Sequence, residues 1–185
     1  MDKQDTNRPT QSNAGLRNFY LTRGLVAAAW VTAAFTVGTS APLAAAVLLV
    51  AYPAWDALAN LVDAARSGGL ARNRSQAINA VMSGIAALAI LFALGDTKSV
   101  VALFGAWAIV AGLLQLVTGL RRWKAFGAQW SMVLSGAQSA LAGGFFIKQA
   151  LGGAVHGITD VAPYAAFGAF YFLVSALWLT ARRGR

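Results

Sequence analysis

Cysteine and glutamate are both missing from the 185-residue chain, histidine occurs once, and only 11% of the residues are charged. The missing thiols exclude disulfides, thiolate nucleophiles and soft-metal sites. One histidine and six acidic residues, all aspartate, leave little from which to build an acid–base or metal centre. The sequence is therefore read as non-enzymatic and without a cofactor. Polar surface is scarce as well: 58% of the residues are hydrophobic, too many for a water-soluble globule of this size. The net charge of +9 would suggest nucleic acid, yet Lys and Arg sit in short clusters between apolar runs rather than among stacking aromatics. The expected partner is the lipid bilayer, not nucleic acid.

What is present is a series of apolar stretches near twenty residues, the length that crosses a hydrocarbon core of roughly 30 Å as a helix. Residues 1–18 carry almost no large apolar side chain and are expected to form a disordered tail. Residues 19–183 form one membrane domain, with spans over 19–38, 42–65, 77–94, 100–120, 128–150 and 164–181. A cleaved signal peptide ending at Thr39-Ser40-Ala41 is disfavoured, because the first apolar run is too long and Pro42 would follow the cut. The fold class is all-α: a bundle of six transmembrane helices.

Lys and Arg resist translocation and gather in cytoplasmic loops. Lys3, Arg8, Arg17 and Arg23 mark the N-terminal side, Arg66, Arg72 and Arg74 the second loop, Arg121, Arg122 and Lys124 the fourth, and Arg182, Arg183 and Arg185 the end. Only Lys98 and Lys148 fall opposite, so both termini are expected in the cytoplasm. Each pair of spans begins with a small-residue helix (Arg23-Gly24-Leu25, Ser83-Gly84-Ile85, Ser135-Gly136-Ala137) and ends with a helix closed by Arg66, Arg121 or Arg182. This pattern predicts three parallel helical-hairpin repeats.

Two sets of side chains stand out. Gly105, Gly112 and Gly119 recur every seven residues in the fourth span, and Gly136, Ala140 and Gly144 every four in the fifth. Small residues at these spacings let backbones approach closely, as packing seams within the bundle or as a homo-oligomer contact. The second set is Asp56, Asn60 and Asp63 in the second span, whose steps of four and three return to one helix face. An ionised Asp near mid-membrane costs roughly 2.5–3.5 kcal/mol on insertion scales, so Asp56 must be protonated, paired or facing a wet cavity. Pro53, one turn earlier, frees a carbonyl and adds to this polar spot. Asp63 lies shallower and is expected to pair with Arg66 or Arg23. Gln115, Gln138, Ser135 and Ser139 on later spans either face the stripe or bond between helices. His156, near Asp160, reads as a solvated loop residue, the alternative being a sensor of external acidity. Trp123 and Trp130 suit the membrane interface, while Trp55 and Trp107 are placed to fill the interior. No glycine-rich loop has the context of a phosphate cradle.

The stretch from Phe104-Gly105-Ala106-Trp107 through Ala111-Gly112-Leu113-Leu114-Gln115, with Arg121, Trp130 and Leu134-Ser135-Gly136, resembles the HdeD-like family of short membrane repeats. Phe167-Gly168-Ala169-Phe170 leading to Arg182 continues the likeness, while the first two spans share only its general pattern. The resemblance implies a bacterial inner-membrane protein and an association with acid resistance, and it carries no catalytic residues. The leading expectation is a non-enzymatic multi-pass inner-membrane protein that supports acid or envelope stress tolerance. The alternative is a small proton, cation or small-solute channel or transporter using the Asp56, Asn60 and Asp63 face.

Overall fold

The computed structural model describes residues 13–123 and 129–181. Within them six helices follow one another: α1 (Asn13–Ser40), α2 (Pro42–Arg66), α3 (Arg74–Ala93), α4 (Thr97–Arg122), α5 (Gln129–Gly152) and α6 (Ile158–Ala181). No strand occurs among the described residues. Five of the helices, all but α5, are long and apolar enough to cross a membrane, and the chain is accordingly a multi-pass membrane protein. The fifth, 24 residues long, has the length but carries Gln129, Ser131, Ser135, Gln138, Ser139, Lys148 and Gln149.

Each turn is set by local chemistry. Between α1 and α2 the chain reverses at Ala41 in an extended conformation, with Pro42 at the first helical positions, where a missing N–H is no loss. After α2, Gly68 and Gly69 adopt positive φ (97° and 92°), a conformation that glycine enters without steric cost. The Asn73 amide closes this loop, donating to the Ser67 and Gly69 carbonyls at 2.8 and 2.9 Å. Asp96 caps α4, accepting from the Lys98 and Ser99 backbone N–H groups.

Consecutive helices are neighbours, and α1 also packs along α6, so the six close into a ring. Contacts at two depths show antiparallel pairs. Arg23 meets Asp56 while the Trp30 indole N–H donates to the Leu48 carbonyl. Ser83 meets Asp56 while Gln76 meets Asp63. Ser131 meets Ser175 while Gln149 meets Asp160. Despite its polarity, α5 packs between α4 and α6 alongside the apolar helices. The first residues of α1 and the last of α6 share one side, where Leu16 and Tyr20 pack on Ala176 and Leu179. Arg66, Arg74 and Arg121 emerge on that side, and Lys98 and Lys148 lie toward the other.

Two expectations change. The N-terminal helix begins at Asn13 rather than Phe19, because Leu16, in sequence a lone apolar residue within the expected tail, is 2% exposed against α6. Residues 1–12, with Lys3 and Arg8, lie outside the described residues, as do Lys124, Arg182, Arg183 and Arg185. The tightest seams join α4 to α5, α1 to α6 and α2 to α3, whereas the hairpins expected from sequence, α1–α2, α3–α4 and α5–α6, make the lighter contacts. Outside the ring, Leu43, Phe92, Leu141 and Leu151 project without cover, as lipid-facing side chains do.

Candidate functional site

The interior of the ring is divided by chemistry. Toward the side of Lys98 and Lys148, aromatic side chains from five helices fill the centre. Trp30 of α1 lies 4.7 Å from Tyr52 of α2, Tyr52 stacks on Phe104 of α4 at 6.1 Å, and Phe104 meets Trp107 edge-on at 5.0 Å. Tyr164 of α6 completes the group between Trp107 and Phe146 of α5. Tilted and edge-on pairs at such spacings are the favoured aromatic arrangements, and together they make an apolar plug across the ring.

Toward the arginine side lies a cavity of about 70 Å³, room for roughly five waters. Asp56, Asn60 and Asp63 all line it and are buried, at 7, 8 and 6% exposure, as their shared helix face requires. Asp56 is the centre of the site. Its Oδ1 forms an ion pair with the Arg23 guanidinium. Its Oδ2 accepts from Ser83 Oγ at 2.9 Å, Asn60 Nδ2 at 3.0 Å and Asn79 Nδ2 at 3.2 Å. Trp107 Nε1 donates to Ser83 Oγ at 2.9 Å, tying the plug to the polar cluster. One helical turn past Asn60, Asp63 accepts from Gln76 Nε2 at 3.1 Å.

Arg23 is held by more than charge. Its guanidinium carbon sits 4.5 Å from the Phe172 ring centre and 5.7 Å from that of Phe19, close enough for cation–π attraction. Gly24 gives α1 this approach to α6, since a Cβ there would lie 2.7 Å from the Leu173 side chain. Asp63 was expected to pair with Arg66 or Arg23; Arg23 pairs with Asp56 instead, about two turns deeper along α2. Such a pair keeps two charges in a low-dielectric layer only because each is neutralised and hydrogen-bonded.

The α3 residues were not singled out by sequence reasoning. Gln76, Asn79 and Ser83 step by three and four along α3 and so share one face, the mirror of the four-and-three step on antiparallel α2. That matching periodicity is the signal that could have found them. Of the later polar residues, Gln115, Ser135 and Ser139 line the cavity and Gln138 does not.

The glycine seam joins α4 to α5. A Cβ on Gly112 would lie 2.6 Å from the Gly136 carbonyl oxygen and 2.7 Å from Ala140 N, and one on Gly105 would lie 2.7 Å from the Gly143 oxygen. Gly119 faces Met132 and Val133. Gly144 is a correction: nothing lies within 4 Å of a Cβ built on it, and its neighbour Gly143 makes the contact. A step of seven returns to the same face within about 20°, whereas two steps of four drift about 80°. Gly136 and Gly143 therefore match the seven-residue spacing on α4.

On the opposite side a second recess, about 440 Å³, is lined by the ends of α1, α2, α4 and α6, including Thr39, Pro42, Thr97 and Thr159. His156 borders it, exposed, with Nδ1 3.3 Å from Asp160 Oδ1. Asp160 also accepts from the backbone N–H groups of His156 and Gly157, anchoring the start of α6. Trp123 is half-exposed at the arginine side, and Trp130 meets Trp178 edge-on at 6.2 Å nearby, positions that suit an interfacial belt.

Residues 76–148 match the model of a family described as a short repeat of unknown function (DUF308). The match covers α3, α4 and most of α5, and with them Gln76, Asn79, Ser83 and the glycine seam. Arg23, Asp56, Asn60 and Asp63 lie before it. No curated protein and no solved structure matches the chain.

Proposed function

We propose that this chain is a non-enzymatic inner-membrane transport protein, with both termini in the cytoplasm, whose cavity receives a small polar or charged solute. The observation that supports this reading best is the Arg23–Asp56 pair set deep among apolar helices on the wall of a cavity large enough for water. Ionisable side chains are expensive inside spans and, where retained, mark solute and ion paths. Two recesses entering from opposite sides, separated by a plug of aromatic rings, give such a path two mouths and a barrier. The basic residues on the cavity side support a cytoplasmic orientation for that mouth. An enzymatic role is disfavoured by the bonding of Asp56: Arg23, Asn60, Asn79 and Ser83 engage its oxygens, leaving them poorly placed to accept a substrate proton.

The test is flux in liposomes holding the purified chain. Wild type is expected to pass protons, potassium or a small polar solute such as glycerol faster than empty vesicles, and Asp56→Asn to lose most of that excess. Equal leak in wild type, mutant and empty vesicles sinks the transport reading. The resemblance of the fourth and fifth spans to the HdeD-like repeats suggests a second reading, acid or envelope stress tolerance through presence in the bilayer or a membrane partner. Survival at low pH that depends on the chain but is indifferent to Asp56→Asn and Asp63→Asn would favour it over transport.

A further inference from the structure

Charge is distributed unevenly between the two ends of the ring. Arg66, Arg72, Arg74 and Arg121 are exposed on the arginine side, and none of the four has an ion-pair partner among the described residues. The two carboxylates described toward that side are turned inward and engaged, Asp56 with Arg23 and Asp63 with Gln76. On the opposite side Lys98 and Lys148 are matched in number by Asp96 and Asp160. Three of the four unpaired guanidiniums belong to one short element, the α2–α3 loop and the residues that flank it. This loop folds back on the end of α2: the Gly69 N–H donates to the Ala64 carbonyl at 2.9 Å, and the Asn73 amide holds the Ser67 and Gly69 carbonyls. It therefore stays close to the level at which the helices leave the hydrocarbon. Leu70, between Arg66 and Arg72, is 46% exposed, an aliphatic side chain set among cations.

We propose that this loop is a docking surface for anionic phospholipid headgroups, with the Arg66, Arg72 and Arg74 guanidiniums on phosphate oxygens and Leu70 at the acyl-chain boundary. Cytoplasmic placement by itself asks only for positive charge, which lysine supplies as well. Among the described residues, however, the exposed cations on this side are arginine and those on the other are lysine. A guanidinium grips phosphate through two parallel N–H donors, where an ammonium acts as a point charge. A zwitterionic headgroup carries its own cation beside the phosphate and gains less from such a surface. RNA is read with stacking aromatics, and residues 66–74 include none. A soluble anion would leave Leu70 in water, whereas a lipid supplies acyl chain to cover it. The surface is independent of any solute path through the ring.

Native mass spectrometry of the full chain in detergent tests the assignment, with phosphatidylglycerol and phosphatidylcholine of identical acyl chains added at equal concentration and constant ionic strength. Wild type is expected to retain phosphatidylglycerol about ten-fold or more over phosphatidylcholine, since each basic residue near an anionic lipid surface contributes roughly five-fold. Arg66→Gln with Arg72→Gln and Arg74→Gln is expected to reduce that preference about five-fold or more, and Lys98→Gln with Lys148→Gln to leave it unchanged. Equal retention of the two lipids by wild type overturns the proposal, a comparison that needs no variant to fold. A comparable loss of preference in both sets of variants also overturns it, because diffuse attraction by net charge would then suffice. Displacement of phosphatidylglycerol by millimolar inorganic phosphate, a short RNA or an acidic peptide would overturn it too, by showing that the surface takes a soluble anion.

Discussion

At the scale of single residues, the Arg23–Asp56 pair shows why a charge inside a membrane bundle is fragile. Asp56 is buried and Arg23 largely so, with side-chain exposures of 10 and 15%, so removing one leaves the other uncompensated. Loss of one member of a buried pair costs about 3–5 kcal/mol, while replacing both with apolar residues is often near neutral. Arg23→Leu is expected to destabilise the chain by about 3 kcal/mol, and Arg23→Leu with Asp56→Leu by less than either single change. Unfolding in detergent mixtures, analysed as a double-mutant cycle, checks this; additive effects would mean that the two side chains do not support each other. Asp96 gives a contrasting case in solvent. Its carboxyl is held below the usual aspartate range chiefly by the Ser99 hydroxyl, with the Lys98 and Ser99 backbone N–H groups adding to it. Because the folded value is depressed, this cap contributes above the ordinary aspartate range and is lost as pH falls through the lowered folded value. Amide exchange at Lys98 and Ser99 is therefore expected to accelerate in acid before the interior of α4 changes, and Asp96→Ala to remove that dependence.

At the scale of elements, the seam between α4 and α5 depends on bare backbone. Lipid offers no hydrophobic drive between helices, so association rests on close packing of small residues. A methyl group on Gly136 would lie 2.6 Å from the Gly112 carbonyl oxygen, and one on Gly112 would be as close to Gly136. Gly112→Ala and Gly136→Ala are each expected to cost about 1–3 kcal/mol, the range for overpacking. Gly144→Ala meets nothing and is expected to gain about 0.5–1 kcal/mol from helix propensity. Parallel unfolding curves for the three variants decide between this seam and the alternative in which Gly144 packs. Sequence periodicity found the α4 stripe fully. On α5 it found Gly136 and Ala140 but chose the wrong neighbour at the third position, since spacing four and spacing seven both look like one face until a partner helix fixes the rotation.

At the scale of the whole molecule, six antiparallel helices closed into a ring put the start of α1 and the end of α6 on one side. The native absence of cysteine makes this directly measurable, because a single introduced thiol is the only one present. Arg72→Cys, in the α2–α3 loop, and Lys98→Cys, at the start of α4, are both at exposed positions. In right-side-out vesicles Lys98→Cys is expected to react with an impermeant maleimide, and Arg72→Cys only after permeabilisation. Labelling of both from the same side would refute the alternating arrangement.

Composition, apolar run length and the placement of arginine were enough to read an all-α membrane chain, because a bilayer admits few ways to satisfy backbone hydrogen bonds and those ways leave long, uniform marks in sequence. The polar face of α2 was equally legible, since Asp56, Asn60 and Asp63 share it by helix geometry alone. Their partners were not. That Arg23 meets Asp56 rather than Asp63, that α3 supplies Asn79 and Ser83, and that Leu16 extends α1 beyond its apolar run all depend on the depth and rotation of one helix against another. Those quantities arise from contacts between residues distant in the chain, summed over the ring, and only the tertiary structure decided them.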